Sequence, residues 1–134
     1  MIVADTNLIA YLLIPGDASK EAEKVLRSDP EWAAPVLWRS ELRGVLAVYL
    51  RRRMMSLDEA LEVTEKAEAL LEGRVYEVPS YLVLALASAS SCSASDCEFV
   101  ALAQQLDVRL VTSDGALLQA FPRIAVAPRI YTSF

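Results

Sequence analysis

Four carboxylates, Asp5, Glu41, Asp96 and Asp114, stand where chemistry could be done. Asp5 closes Ile2-Val3-Ala4, a short uncharged and partly β-branched run that reads as a strand buried on both faces. Asp114 follows a second such candidate, Arg109 to Thr112, while Glu41 and Asp96 fall near predicted helix starts. In open α/β sheets the ligand crevice lies at the carboxyl ends of the strands, the side on which the following helices begin. Four acids from distant parts of the chain can therefore converge there. Carboxylates within about 4–6 Å of one another raise each other's pKa and cannot all stay ionised without compensation. A divalent cation resolves the conflict. An all-oxygen ligand set suits Mg²⁺ or Mn²⁺, which keep waters and bridge to phosphate oxygens. Such an ion activates water for in-line displacement at a phosphodiester, and a second ion about 3.5–4 Å away would assist the leaving oxygen.

Composition narrows the alternatives. The 134 residues contain no histidine, which removes Ser-His-Asp and Cys-His nucleophilic schemes, histidine acid/base catalysis and histidine-bearing zinc sites. The formal net charge is −5 and the isoelectric point about 4.7, against a protein that coats long duplex by charge alone. A chain this long supports one domain, residues 1–134. It is 54% hydrophobic with mean hydropathy +0.32, yet no apolar run approaches the roughly 20 residues of a membrane span. Part of this apolar surface is expected to be covered by another chain. The start lacks the basic segment of a secretory leader, and Cys92 and Cys97 form neither a close zinc pair nor a disulfide framework. A reduced, cytoplasmic setting with buried, idle thiols is the reading.

The elements that must position the acids follow from pattern and punctuation. After the Asp5 strand, Leu8 to Leu13 suits a short helix ended by Pro15-Gly16, and Ala18 to Ser28 a second with Ala22, Val25 and Leu26 facing in. Ala33 to Val36 is weakly strand-like. A third helix spans about Leu37 to Arg53 with Trp38, Leu42, Val45, Leu46 and Tyr49 inward, which places Glu41 beside the apolar stripe. A capping box, Ser56 to Glu59, opens a fourth helix to Leu71, ended by Gly73. Val75 to Val78 is the next strand, and Ser80 caps a helix from Tyr81 to Ala89. After a small-residue loop, Ser95 and Glu98 have capping-box spacing for a sixth helix to Gln105, leaving Asp96 at its first position free to face a cleft. Arg109 to Thr112, a short helix from Ala116 to Phe121 and a strand from Ile124 to Ala127 complete the chain. This alternation predicts a three-layer α/β/α sandwich with a mainly parallel sheet.

Each acid also has a plain structural reading. Asp5 would cap the next helix, Asp96 would favour a helix dipole, and Asp114, before Gly115, would serve a turn or N-cap. Glu41 would pair with Arg39 or Arg43. The order and number of the acids favour the site. Arg39 and Arg43, one turn apart around Glu41, are placed to meet phosphates or an acidic partner segment, whereas Arg51 to Arg53 reads as a solvated helix end. Trp32 and Trp38 read as packing residues rather than base-stacking ones.

Asp5-Thr6-Asn7 before a short helix, Ser40-Glu41-Leu42, the Ser93 to Ala103 segment and Leu110-Val111-Thr112-Ser113-Asp114 together resemble the PIN domain, and length and element order resemble its VapC-type ribonuclease toxins. The resemblance covers nearly the whole chain. It implies that Asp5, Glu41, Asp96 and Asp114 form an acidic quartet holding Mg²⁺ or Mn²⁺. It implies that Asn7 and Thr112, with Ser113 as a lesser candidate, orient the first aspartate or its waters. It further implies single-stranded or loop RNA as substrate, a homodimer and a small antitoxin whose tail occupies the groove. Ser95 departs from the aromatic residue many relatives carry at that position.

Two other readings compete. A non-catalytic interaction module would keep the acids for metal-supported stability or partner binding. An aspartyl-phosphate phosphatase or receiver would use Asp5, but Asn7 stands where the phosphatase pattern wants a second acid, and no lysine lies beyond Lys66 to serve a receiver.

Overall fold

The computed structural model describes residues 1–132. Ile2–Ala4 forms β1, Trp32–Pro35 β2, Val75–Tyr76 β3, Leu110–Val111 β4 and Ala125–Val126 β5. They make one sheet in the order β3-β2-β1-β4-β5, and every pairing is parallel. β1 is thus central, with Ile2 opposite Trp32 on one side and Val3 opposite Leu110 on the other. The chain winds outward from β1 to β3 and then returns to place β4 beside β1, so strand order reverses between β1 and β4. That reversal is where an open α/β sheet opens its crevice.

Thr6–Leu13 is α1, Ser19–Ser28 α2, Trp38–Arg51 α3 and Leu57–Leu71 α4; Ser80–Ser88 is α5, Ala94–Leu106 α6, Gly115–Ala120 α7 and Pro128–Tyr131 α8. Side-chain alternation along the strands sorts them into layers. Ile2, Ala4, Trp32 and Ala34 pack with the inner faces of α1 to α4, while Val3, Ala33 and Leu110 pack with α5, α6 and α7. The sandwich is therefore three-layered, as the alternation of elements predicts. Phe99 to Ala103 are all buried, which makes α6 the helix most enclosed by its neighbours. Trp38, Leu42 and Leu46 on α3 are buried at helical spacing, each contributing about 1.5–3 kcal/mol of apolar transfer energy.

Several local expectations hold. Ser56 and Glu59 form both bonds of the capping box, and Gly73 takes φ +78 just past the end of α4. Cys92 and Cys97 are buried free thiols, and Trp32 and Trp38 are core residues. Others are corrected. Ser80 is the first helical residue of α5 behind Pro79 and makes no side-chain cap. The cap of α6 is Ser93, whose hydroxyl accepts from the Asp96 N–H, so the Ser95–Glu98 box does not form and Asp96 stands at the third helical position. β1 has the bounds expected and β2 lies one residue early, while β3, β4 and β5 are two residues each, shorter than the runs 75–78, 109–112 and 124–127 suggest. α8, opened by Pro128, lies beyond any expected element; its Tyr131 donates to Asp29. Among the described residues no helix is long and apolar enough to cross a membrane.

Candidate active site

The four acids come together. Asp5, Glu41, Asp96 and Asp114 line one pocket of about 390 Å³ with Thr6, Asn7, Gly44, Val45 and Val48. Asp5 leaves β1 at its carboxyl end and Asp114 leaves β4, so the floor of the pocket is the strand-order reversal itself. Glu41 comes from the first turn of α3, and Asp96 from the first turn of α6 on the opposite layer.

Each acid is held differently. Asp5 is 8% exposed and accepts a 2.6 Å hydrogen bond at Oδ2 from the hydroxyl of Thr112, itself fully buried. The same Thr112 oxygen accepts from the Asp114 N–H at 3.0 Å, so one side chain ties the ends of β1 and β4 together. Glu41 accepts at Oε1 from the Thr6 hydroxyl at 2.8 Å. It pairs with neither Arg39 nor Arg43. Asp114 is the N-cap of α7, its Oδ1 accepting from Ala116 and Leu117 N–H groups, and it lines the pocket as well. Its capping and site readings are both realised.

Burial pushes the Asp5 carboxyl above its ordinary value; the Thr112 bond opposes this, and the charges of Asp96 and Asp114 add to it. Glu41 is raised chiefly by burial, against the Thr6 bond, with Asp5, Asp96 and Glu98 adding negative field. Asp96 is raised by burial and then by Asp114. Raised carboxylates that feel one another are the electrostatic mark of a site lacking positive charge.

Of the remaining candidates, Asn7 lines the pocket wall. Ser113 is exposed and outside that lining. Arg39 and Arg43 lie away from the acids, along the groove between α3 and α4. Arg39 sits over the Trp38 ring at 5.3 Å and approaches Glu68 at 3.5 Å. Residues two apart on a helix face different directions, which separates Arg39 and Arg43 from Glu41. Sequence reasoning passed over Thr6 as the partner of Glu41, and Glu98 as a further negative charge acting on it. The hydroxyl directly after Asp5 was the available signal for the first.

The chemistry of the donor set, though not its spacing, suits a hard divalent cation. It is all oxygen, the chain has no histidine, and neither buried cysteine lines the pocket. Among the described residues no three such side chains are gathered tightly enough to hold an ion between them. Asp5 and Glu41 each have one oxygen engaged by a hydroxyl, and Asp114 has one committed to its cap.

A parallel α/β sandwich with carboxylates from four separate segments lining the pocket at its strand-order reversal defines a class of proteins built around an acidic, oxygen-donor centre. The chain belongs to the PIN domain family, which it matches over residues 2–125. It is similar to Ribonuclease VapC3 of Pyrobaculum aerophilum, with 28% identity over 126 residues, covering 92% of this chain and 96% of that protein. Among solved structures it resembles FitAcB from Neisseria gonorrhoeae, with TM-score 0.75 and 20% identity over 96% of this chain and 99% of that one. A toxin–antitoxin complex from Klebsiella pneumoniae matches with TM-score 0.70 and 19% identity, covering 96% of this chain and 98% of its counterpart.

Proposed function

We propose that this chain, acting as one domain over residues 1–134, is an Mg²⁺- or Mn²⁺-dependent endoribonuclease and the toxin of a toxin–antitoxin pair. The observation that carries the reading is the lining of one pocket by Asp5, Glu41, Asp96 and Asp114, four acids spread over most of the chain. Membership of the PIN family and the likeness to a VapC ribonuclease supply the reaction class. Likeness to a toxin–antitoxin complex supports a small antitoxin as partner.

In this reading the four carboxylates would hold the cation, and Asn7 and Thr112 support them. A divalent cation bound there supplies Lewis-acid polarisation of a phosphodiester and a nucleophilic water. The chain does the positioning. Thr112 fixes Asp5 against the end of β4, Thr6 fixes Glu41 against the start of α1, and the α7 cap fixes Asp114. Single-stranded or loop RNA is the substrate, because a pocket at the carboxyl ends of the central strands reaches a flexible backbone more readily than a paired one. Arg39 and Arg43, outside the acid pocket, are assigned to the antitoxin rather than to the scissile phosphate. A homodimer is supported by α5, where Tyr81 and Leu84 are 77% and 60% exposed. Free, buried Cys92 and Cys97 accord with a cytoplasmic setting.

The test is cleavage of a mixed small-RNA pool by antitoxin-free protein with Mg²⁺ or Mn²⁺ against chelator, using Asp96→Asn as contamination control. Metal-dependent cutting that the variant loses is expected. Mn²⁺ binding without cutting would sink the nuclease and leave the interaction module.

A further inference from the structure

Gly44 sits at the middle of α3, where a glycine is less favourable than alanine. Helical glycines usually answer a packing need, a neighbour too close to admit a Cβ. Here there is none: a Cβ built on Gly44 meets nothing within 4 Å. The position is exposed, its φ is in the ordinary helical range, and neither the sheet nor a neighbouring helix demands the missing methyl.

What Gly44 does touch is the acid pocket. Glu41, Gly44, Val45 and Val48 fall at helical spacings of three, four and seven, so they form one face of α3, and all four line the pocket holding Asp5, Asp96 and Asp114. That face begins with a carboxylate and continues as an apolar ridge, with Val48 41% exposed. Gly44 is the notch in the ridge, one turn from Glu41.

We propose that Gly44 is a substrate-positioning residue: its missing side chain admits the RNA backbone to the acid pocket, while Val45 and Val48 give the adjoining base or sugar an apolar wall. The inference rests on the ribonuclease reading. Space is the whole of the role. Gly44 donates nothing to the reaction, and the groups that would bind the cation lie on other residues or one turn away.

A substitution series separates this role from a structural one, because stability and function move in opposite directions. Gly44→Ala and Gly44→Leu are compared with wild type by thermal melting, Mn²⁺ titration, and binding and cleavage of a short single-stranded RNA. Gly44→Ala is expected to melt about 3–5 °C higher. It should bind Mn²⁺ as wild type does and lose about tenfold in kcat/KM, mainly through KM; Gly44→Leu should lose about a hundredfold with Mn²⁺ affinity again unchanged. Wild type that cuts, with both variants cutting within twofold of it, overturns the inference and leaves the ribonuclease standing. Wild type that neither binds nor cuts RNA overturns both.

Discussion

The hydroxyl of Thr112 donates to Asp5 Oδ2 at 2.6 Å, joining residues 107 apart in sequence across the one place where strand order reverses. Both partners are buried. Thr112→Val keeps the shape but removes both the donor to the buried Asp5 carboxylate and the acceptor of the Asp114 N–H, and is expected to cost about 1–3 kcal/mol by denaturant unfolding. Cleavage should fall with it, and Thr112→Ser should restore most of both. Equal stability for Val and Ser would show that the bond does not hold the site.

The pH dependence of stability follows from burial. The unfolded chain gives up the Asp5 proton near 3.8, the folded one at higher pH. Stability from this group is therefore lost as pH rises through that interval and stays lost at neutrality. Asp5→Asn removes the charge and is expected to raise the melting temperature at neutral pH, with the gain vanishing on strong acidification, while cleavage is abolished. A lower melting temperature for the variant at neutral pH contradicts this account. Glu59 behaves oppositely: the Ser56 cap lowers its pKa, so its contribution is lost on acidification.

Cation binding should stabilise the fold, because only the folded chain brings the four acids together. At a hundred times its dissociation constant, Mn²⁺ would add about 2.7 kcal/mol. Thermal melts with Mn²⁺, and with Mn²⁺ plus chelator, check this in wild type and Asp96→Asn. An equal upward shift in the variant would remove Asp96 from the binding set.

Ser93 and Ser95 offer a clean contrast. Ser93→Ala removes the cap of α6 and is expected to cost about 1 kcal/mol and to loosen Asp96, whose N–H it holds at 3.1 Å. Ser95→Ala should be nearly neutral. The reversed ranking in chemical denaturation would restore the cap position that Glu98 suggests.

The two tryptophans should also differ. Trp32 Nε1 donates to the Asp29 carbonyl at 2.8 Å, whereas Trp38 Nε1, equally buried, has no partner among the described residues. Both Trp→Phe changes lose volume, but Trp32→Phe also orphans an acceptor and should cost about 1 kcal/mol more in unfolding measurements.

The sandwich and its four acids were legible because period and punctuation agree: Ile2 to Ala4 is apolar and ends in a carboxylate, and α4 carries a cap and a glycine stop. Caps were less legible where serines crowd. Ser93 and Ser95 are equally good acceptors, and Glu98 pointed to the wrong one because burial of Cys97, Phe99 and Val100, not the cap, sets the helix phase. Strand length was overestimated only for β3, β4 and β5, whose flanking residues make single inter-strand hydrogen bonds, as from the Thr112 N–H to the Val126 carbonyl, without extending the ladder. Arg39 and Arg43 were assigned by proximity in sequence to Glu41, but helical rotation turns them to another groove.

The sheet order also imposes a schedule on synthesis. Asp5 leaves the ribosome long before Asp114, and the edge of β1 that β4 will cover stays open until Leu110–Val111 arrives, with Asp114 following it. No shorter nascent chain, and no fragment cut before that point, can assemble the full pocket. The first acid waits for the last, and the centre they form closes only once β4 and Asp114 have emerged.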